Sequence, residues 1–182
     1  VSQFDRRPMS LRNNDFYTRF QNEIDQRLNS FTSGDAMYSH LAAVASTAYG
    51  KVNSVFMWYS GILDPLKTLL QHSDIKAICG LMLAVAKDFK RLKDGYPDLM
   101  IIENGKVRFE EIKSSGDQIR RNQLHTIRKM RDCGFDVGIC QVDWQRDPEQ
   151  AYAVFDIETT GGGSQYHRIT EIGIVKLVDG VE

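Results

Sequence analysis

Apolar positions in the first ninety residues recur at helical spacing. Phe16, Phe20, Ile24 and Leu28 repeat every four residues behind Asn14 or Asp15 as a cap, which predicts one helix through Leu28. Ser33-Gly34-Asp35 opens a second helix through Met37, Leu41, Val44 and Ala48, closed by Gly50. Asp64-Pro65 reads as an N-cap with proline at the first helical position. Ser73-Asp74 starts a fourth helix through Ile78, Leu81, Met82, Val85 and Phe89, with Lys87, Lys90, Arg91 and Lys93 in its last turn, where cations suit the helix dipole. Phe56, Trp58 and Tyr59 lie between helices and are expected to pack in the core.

The period changes at Gly95-Tyr96-Pro97. Leu99 to Ile102 is a short apolar strand, Asn104-Gly105 a hairpin turn, and Lys106 to Lys113 the returning strand. Ser114-Ser115-Gly116-Asp117 breaks that strand and is expected to cap a basic helix from Gln118 to Cys133, and Phe135 to Val142 is a third strand. Hairpin, helix, strand predicts a small mixed sheet with helices packed on it. A polar linker follows at Asp147-Pro148-Glu149-Gln150. Ala153 to Ile157 and Ile169 to Leu177 then read as strands around a Gly-rich turn, and Asp179-Gly180 signals another turn. Two strands do not make an independent fold. The expected organisation is therefore a helical region over 1–88, a core over 89–145, a linker over 146–152 and the truncated start of another domain over 153–182. The chain opens without Met, and the expectation is that it is a middle piece of a longer protein.

Composition narrows the class. In 182 residues, 42% are hydrophobic and 26% charged, as in a soluble globular protein, which excludes collagen, a coiled-coil rod and a wholly disordered chain. No apolar run is long enough to span a bilayer, so no membrane partner is expected. Cys79, Cys133 and Cys140 form no CxxC pair and read as reduced thiols of a cytoplasmic protein, nucleoid-associated if bacterial. The net charge of -1 is uninformative, but Lys87 to Arg131 holds 12 Lys and Arg against 7 Asp and Glu. A basic stretch in a neutral chain is compatible with a phosphate-rich ligand, or with nothing more than a solvated face.

The returning strand carries the chemistry. Side chains alternate, so Val107, Phe109, Glu111 and Lys113 share one face. Two charges on the face that also carries Val and Phe cost free energy unless paired or metal-bound. Asp98 begins the neighbouring strand and can lie near Glu111. Two converging carboxylates repel unless a divalent cation sits between them, and a lysine beside them can orient a water or stabilise phosphate charge. Spacing alone also allows a surface Glu–Lys pair at a strand end, worth under about 1 kcal/mol.

The wider context separates these. Pro97-Asp98 followed by Glu111-Ile112-Lys113 resembles the PD-(D/E)xK nuclease superfamily. More closely, Gly95-Tyr96-Pro97-Asp98-Leu99, Phe109-Glu110-Glu111-Ile112-Lys113, Asp117 to Gln123, and Gly134 with Val137, Ile139, Cys140 and Val142 resemble the ordered motifs of the VRR-NUC domain of the Fanconi-associated nucleases. The likeness extends upstream to the Asp15-Phe16-Tyr17 helix and covers roughly residues 10 to 144. It implies Asp98 and Glu111 as metal ligands, with the Ile112 carbonyl as a third, Lys113 as catalytic lysine and Gln123 facing the site from the helix. It further implies Mg2+ or Mn2+, and as partner branched, flap or single-stranded DNA. Departures are Ser114-Ser115 where the family has Gly-Pro, Asp117-Gln118-Ile119-Arg120 where it has D-R-L-S, and Thr126 where it has an aromatic residue. A further acidic ligand carried upstream in the family is expected at or before Val1.

Phe155-Asp156-Ile157-Glu158-Thr159-Thr160-Gly161 followed by Ile169-Thr170-Glu171-Ile172-Gly173 forms a second constellation. Asp156 and Glu158 lie two apart on a strand and share a face, a spacing that can hold two divalent cations. The pair of motifs resembles the start of the DEDD 3′–5′ exonucleases of the proofreading-subunit (polymerase III epsilon) type, which implies that Asp156 and Glu158 are metal ligands of a half-built site.

The expected fold class is α/β: a helical N-terminal region and a restriction-endonuclease-like mixed sheet, then a truncated β-hairpin of an RNase H-like exonuclease domain. The expected activity is metal-dependent, structure-specific hydrolysis of DNA phosphodiesters in repair. Lys90, Arg91, Arg120, Arg121 and Arg128 are the candidate DNA-backbone contacts. The rival reading is a non-catalytic DNA-binding module that delivers DNA to the downstream exonuclease. No protein partner is legible.

Overall fold

Helical spacing in the N-terminal region produces helices with two breaks that the spacing did not predict. The computed structural model describes residues 8–50, 55, 59–143, 145, 151–161 and 166–177. Phe56 and Trp58, the linker at Asp147-Pro148-Glu149-Gln150 and the turn at Asp179-Gly180 lie outside these residues. The chain divides into two compact units, Val1–Val142 and Asp143–Glu182.

In the first unit, α1 (Met9–Asn13) is followed by α2 (Phe16–Arg19) and α3 (Gln21–Asn29) where one helix was expected. The break is at Phe20, whose φ of -124° and ψ of 29° leave the helical region. Its N–H is shared between the carbonyls of Phe16 and Tyr17, and the Tyr17 hydroxyl donates to the Asp25 carboxylate at 3.0 Å. In a straight helix those two residues stand about 12 Å apart along the axis. α4 (Gly34–Ala48) begins as expected, with the Ser33 hydroxyl oxygen accepting from the Ala36 N–H at 3.1 Å. α5 (Leu63–His72) is entered through a 3-10 turn at Ser60–Ile62. Asp64 and Pro65 therefore sit inside its first turn rather than at its cap, where the missing proline N–H is still tolerated. Tyr59 is exposed rather than in the core.

α6 (Ile75–Lys87) is capped by Asp74 and stops at Asp88, so that Phe89–Leu92 forms a separate short helix, α7. The sequence spacing predicted one continuous helix. Asn14 explains the break: its amide donates to Asp88 Oδ1 at 3.1 Å and its Oδ1 accepts from the Lys90 N–H at 3.3 Å, a tie from the chain's start that satisfies freed groups at the junction. The cations expected in one last turn are thereby divided, Lys87 on α6 and Lys90 and Arg91 on α7.

β1 (Leu99–Glu103) and β2 (Lys106–Ser114) pair antiparallel around Asn104 and Gly105, both at positive φ. β3 (Asp136–Val142) pairs parallel with β2 after the crossover helix α8 (Arg121–Asp132), giving a mixed sheet in the order β1-β2-β3. α8 starts three residues later than expected, because Asp117 closes the preceding turn instead of capping it. Its Oδ2 accepts from the Ser114 hydroxyl at 2.6 Å and the Ser114 N–H at 3.2 Å. The core joins Met37, Leu70 and Ile78 from the helices to Ile127 and Met130 of α8 and Val137 of β3, with Phe109 of β2 edge-on to Phe135 at 5.6 Å. Among the described residues no helix is long and apolar enough to cross a membrane, and the three cysteines are free thiols.

The second unit is an antiparallel hairpin of β4 (Tyr152–Thr159) and β5 (Ile169–Leu177). Its register places Phe155 opposite Ile174 and Ile157 opposite Ile172 on one face, all at least half exposed.

Candidate active site

The inner face of β2 runs from the core into a polar end. Val107 and Phe109 pack inward, and the next residue on that face, Glu111, is 0% exposed. Lys113 follows, its side chain 14% exposed, and its Nζ lies 2.5 Å from Glu111 Oε1. The Gln123 amide of α8 donates to the same oxygen. Gln123 is held in turn by its own Oε1, which accepts from the Arg120 N–H at 3.0 Å, so the start of α8 aims this side chain at β2. Glu111 Oε2 is buried and has no hydrogen-bond partner among the described residues.

Asp98 immediately precedes β1. The pairing of Leu99 with Glu110 puts it beside Glu111 and Ile112 at the same end of the sheet. Its Oδ2 accepts from the Ile112 N–H at 2.8 Å. The geometry therefore brings Asp98, Glu111, Ile112, Lys113 and Gln123 to one end of the sheet. In the loop just beyond, the hydrogen bonds from Ser114 hold the Asp117 carboxyl below its ordinary value.

The expected DNA contacts separate into two sets. Lys90 and Arg91 of α7 and Arg121 of α8 line one cleft of about 650 Å³, together with Asp94, Asn122 and His125. Arg91 pairs loosely with Asp88 at 3.8 Å. Arg120 precedes α8 and Arg128 lies farther along it. Both are exposed and neither lines the cleft. Asn122 and His125 were missed from sequence, where only the spacing of four between Arg121 and His125 on one helix could have drawn attention to them.

Asp156 and Glu158 project from one face of β4. Asp156 is opposite Gly173 and Glu158 opposite Glu171, the carboxylate of the second motif. Among the described residues no three His, Cys, Asp or Glu side chains come close enough together to hold a metal ion.

The sequence model of the VRR-NUC domain matches residues 37–144, more than half of the chain. The chain belongs to the VRR-NUC family. Among curated relatives, Fanconi-associated nuclease 1 of Danio rerio is 26% identical over 145 residues, covering 74% of this chain and 14% of that protein. The Fanconi-associated nuclease 1 homolog of Arabidopsis thaliana is 25% identical over 148 residues, covering 78% of this chain and 16% of its own length. The chain thus spans about a seventh of the length of the relatives it matches. The crystal structure of paFAN1 bound to 2nt 5′flap DNA with gap superposes with a TM-score of 0.65 at 22% identity, over 79% of this chain and 27% of that one. The shared fold is the helical region and three-stranded mixed sheet. VRR-NUC is a nuclease domain, and membership implies dependence on a divalent metal.

The VRR-NUC residues at the sheet end suit such an ion. Hard divalent cations take carboxylate and carbonyl oxygens. Glu111 offers a buried carboxylate oxygen with no hydrogen-bond partner among the described residues, and Asp98 a second carboxylate at the same end. A dry carboxylate with one oxygen unsatisfied is costly, and a cation on that oxygen removes the cost.

Proposed function

We propose that this chain is the nuclease portion of a structure-specific DNA-repair enzyme that hydrolyses phosphodiesters in branched, flap or single-stranded DNA with Mg2+ or Mn2+. The observation that carries this reading is Glu111: a completely buried carboxylate, one oxygen shared by Lys113 and Gln123 and the other without a partner among the described residues. Asp98, Glu111 and the carbonyl of Ile112 are the residues to hold the ion. Once bound, it supplies Lewis acidity to the scissile phosphate and to the attacking water. Gln123 and Lys113 orient the Glu111 carboxylate, and Lys113, at the solvent side of the pair, stabilises charge developing on the phosphate or takes part in proton transfer with the water. Lys90, Arg91, Arg120, Arg121 and Arg128 hold the DNA backbone, which carries no sequence information and suits recognition by structure. The enzyme acts in the cytoplasm, on the nucleoid if the source is bacterial. The proposed organisation is a helical region over 1–88, the nuclease core over 89–145, a linker over 146–152 and, over 153–182, the start of an RNase H-like DEDD 3′–5′ exonuclease domain with Asp156 and Glu158 as metal ligands. That last assignment rests on the two sequence motifs and on the register that puts Asp156 and Glu158 on one face of a hairpin.

Glu111→Gln keeps size and most hydrogen bonding but removes a charge that the cation needs. In the full-length protein, with Asp156→Ala silencing the second domain, Glu111→Gln abolishes Mg2+-dependent cleavage of flap, nicked and single-stranded DNA while binding persists. If the protein carrying Asp156→Ala alone binds these substrates without metal-dependent cleavage, the sheet-end residues are a relic and the binding-module reading replaces this one.

A further inference from the structure

The segment leading into Asp98 is bolted to the helix that carries Gln123. The Thr126 hydroxyl, 0% exposed, donates to the Asp94 carbonyl at 2.8 Å. The Asn122 amide donates to Asp94 Oδ1 at 2.9 Å. The next residue is Gly95 at φ +79°, where a Cβ would stand 2.7 Å from the carbonyl carbon of Asn122 and 2.9 Å from the nitrogen of Gln123. Those are backbone atoms of α8 and do not yield as a flexible side chain would. A glycine is needed there for the left-handed conformation and for the closeness. Three residues farther on is Asp98, and on α8 the residue next to Asn122 is Gln123, the donor to Glu111.

From this juxtaposition we propose that Asp94, Gly95 and Thr126 form a clamp that sets Asp98 and Gln123 in register with Glu111, and so act as positioning residues for the cation site. The proposal rests on the site reading above. The clamp exists because position 126 is small and hydroxylated. Its Oγ1 reaches a main-chain carbonyl that lies in the crevice between α8 and the approach to β1, a contact no aromatic side chain makes. Asp94 reaches Asp98 through the stiff Tyr96-Pro97 step, where proline fixes φ and restrains the residue before it. Tyr96 is itself anchored, its hydroxyl donating to the Leu92 carbonyl at 2.9 Å. Displacement of Asp94 is thus passed to Asp98 rather than absorbed between them.

The test measures Mn2+ binding by electron paramagnetic resonance in the full-length protein without DNA, in the Asp156→Ala background so that one proposed site is read. Thermal melting accompanies it. Thr126→Val, which keeps shape and removes the donor, weakens Mn2+ binding roughly tenfold, the usual effect of losing a group that orients a ligand. Thr126→Ser, which keeps the hydroxyl, restores it. Asp94→Ala, at an exposed side chain, weakens binding severalfold with melting unchanged, Asp94→Asn retains it, and this pair decides the matter should Thr126→Val fail to fold. If Glu111→Gln abolishes Mn2+ binding while Thr126→Val and Asp94→Ala bind as the parent does, the clamp is overturned and the site stands. If Glu111→Gln binds Mn2+ as the parent does, the site reading falls and takes the clamp with it.

Discussion

Glu111 is buried away from solvent, and its neighbours divide the task of satisfying it there. Lys113 brings the counter-charge at 2.5 Å, and Gln123 adds a donor to the same oxygen. Removing one member of a buried ion pair strands the other. Lys113→Met should therefore lower stability by about 3–5 kcal/mol at neutral pH, the usual range for a broken buried pair. Glu111→Gln combined with Lys113→Met should recover most of that loss, since no charge then remains to be compensated. Urea denaturation of the four proteins in this cycle measures it, and a single Lys113→Met variant as stable as the parent would show that Glu111 is satisfied by other means. Burial also pushes the Cys79 and Cys133 thiols above their ordinary value, which makes both poor nucleophiles and fits packing rather than chemistry.

At the scale of elements, α8 is a part with two faces. Thr126, Ile127 and Met130 are buried against the core, while Arg121 and Arg128 are exposed beside the flanking Arg120. Exposed arginines with no ion pair among the described residues are available for phosphate. Arg120→Ala with Arg121→Ala should weaken binding of duplex and flap DNA uniformly across sequences. The slope of log affinity against log salt should become shallower by about 2, one for each phosphate that an arginine no longer neutralises. Fluorescence anisotropy over a salt series measures this, and an unchanged slope would mark the pair as a solvated face. The helix boundaries also show what periodicity misses. Asn14 interrupts α6–α7 from 74 residues away, and no local pattern around Asp88 announces it.

At the scale of the whole molecule, the two units differ in what they can bury. Val1–Val142 encloses a core between helices and a three-stranded sheet, whereas Asp143–Glu182 offers a hairpin with Phe155, Ile157, Ile172 and Ile174 exposed together. Two strands lack the area to hold themselves together in water. A peptide of residues 143–182 should therefore be largely unstructured by circular dichroism and amide dispersion. A folded spectrum from the isolated peptide would contradict this.

The alternation of β2, the Asn104-Gly105 turn and the capping of α4 and α6 are local properties of the chain, which is why strands, most helices and the Glu-x-Lys pair are legible in the order of residues itself. So is membership of the family, because the ordered motifs survive in the residue string. Tertiary structure alone decided the rest. The breaks at Phe20 and Asp88 follow from partners distant in space, and the pairing of Asp98 with the Ile112 N–H follows from strand register. The family likeness already implied that Gln123 faces the site, but the contact it makes with Glu111 depends on how closely Gly95 lets the helix approach. Those are questions of distance between segments, and residue order constrains such distances only once the core has packed.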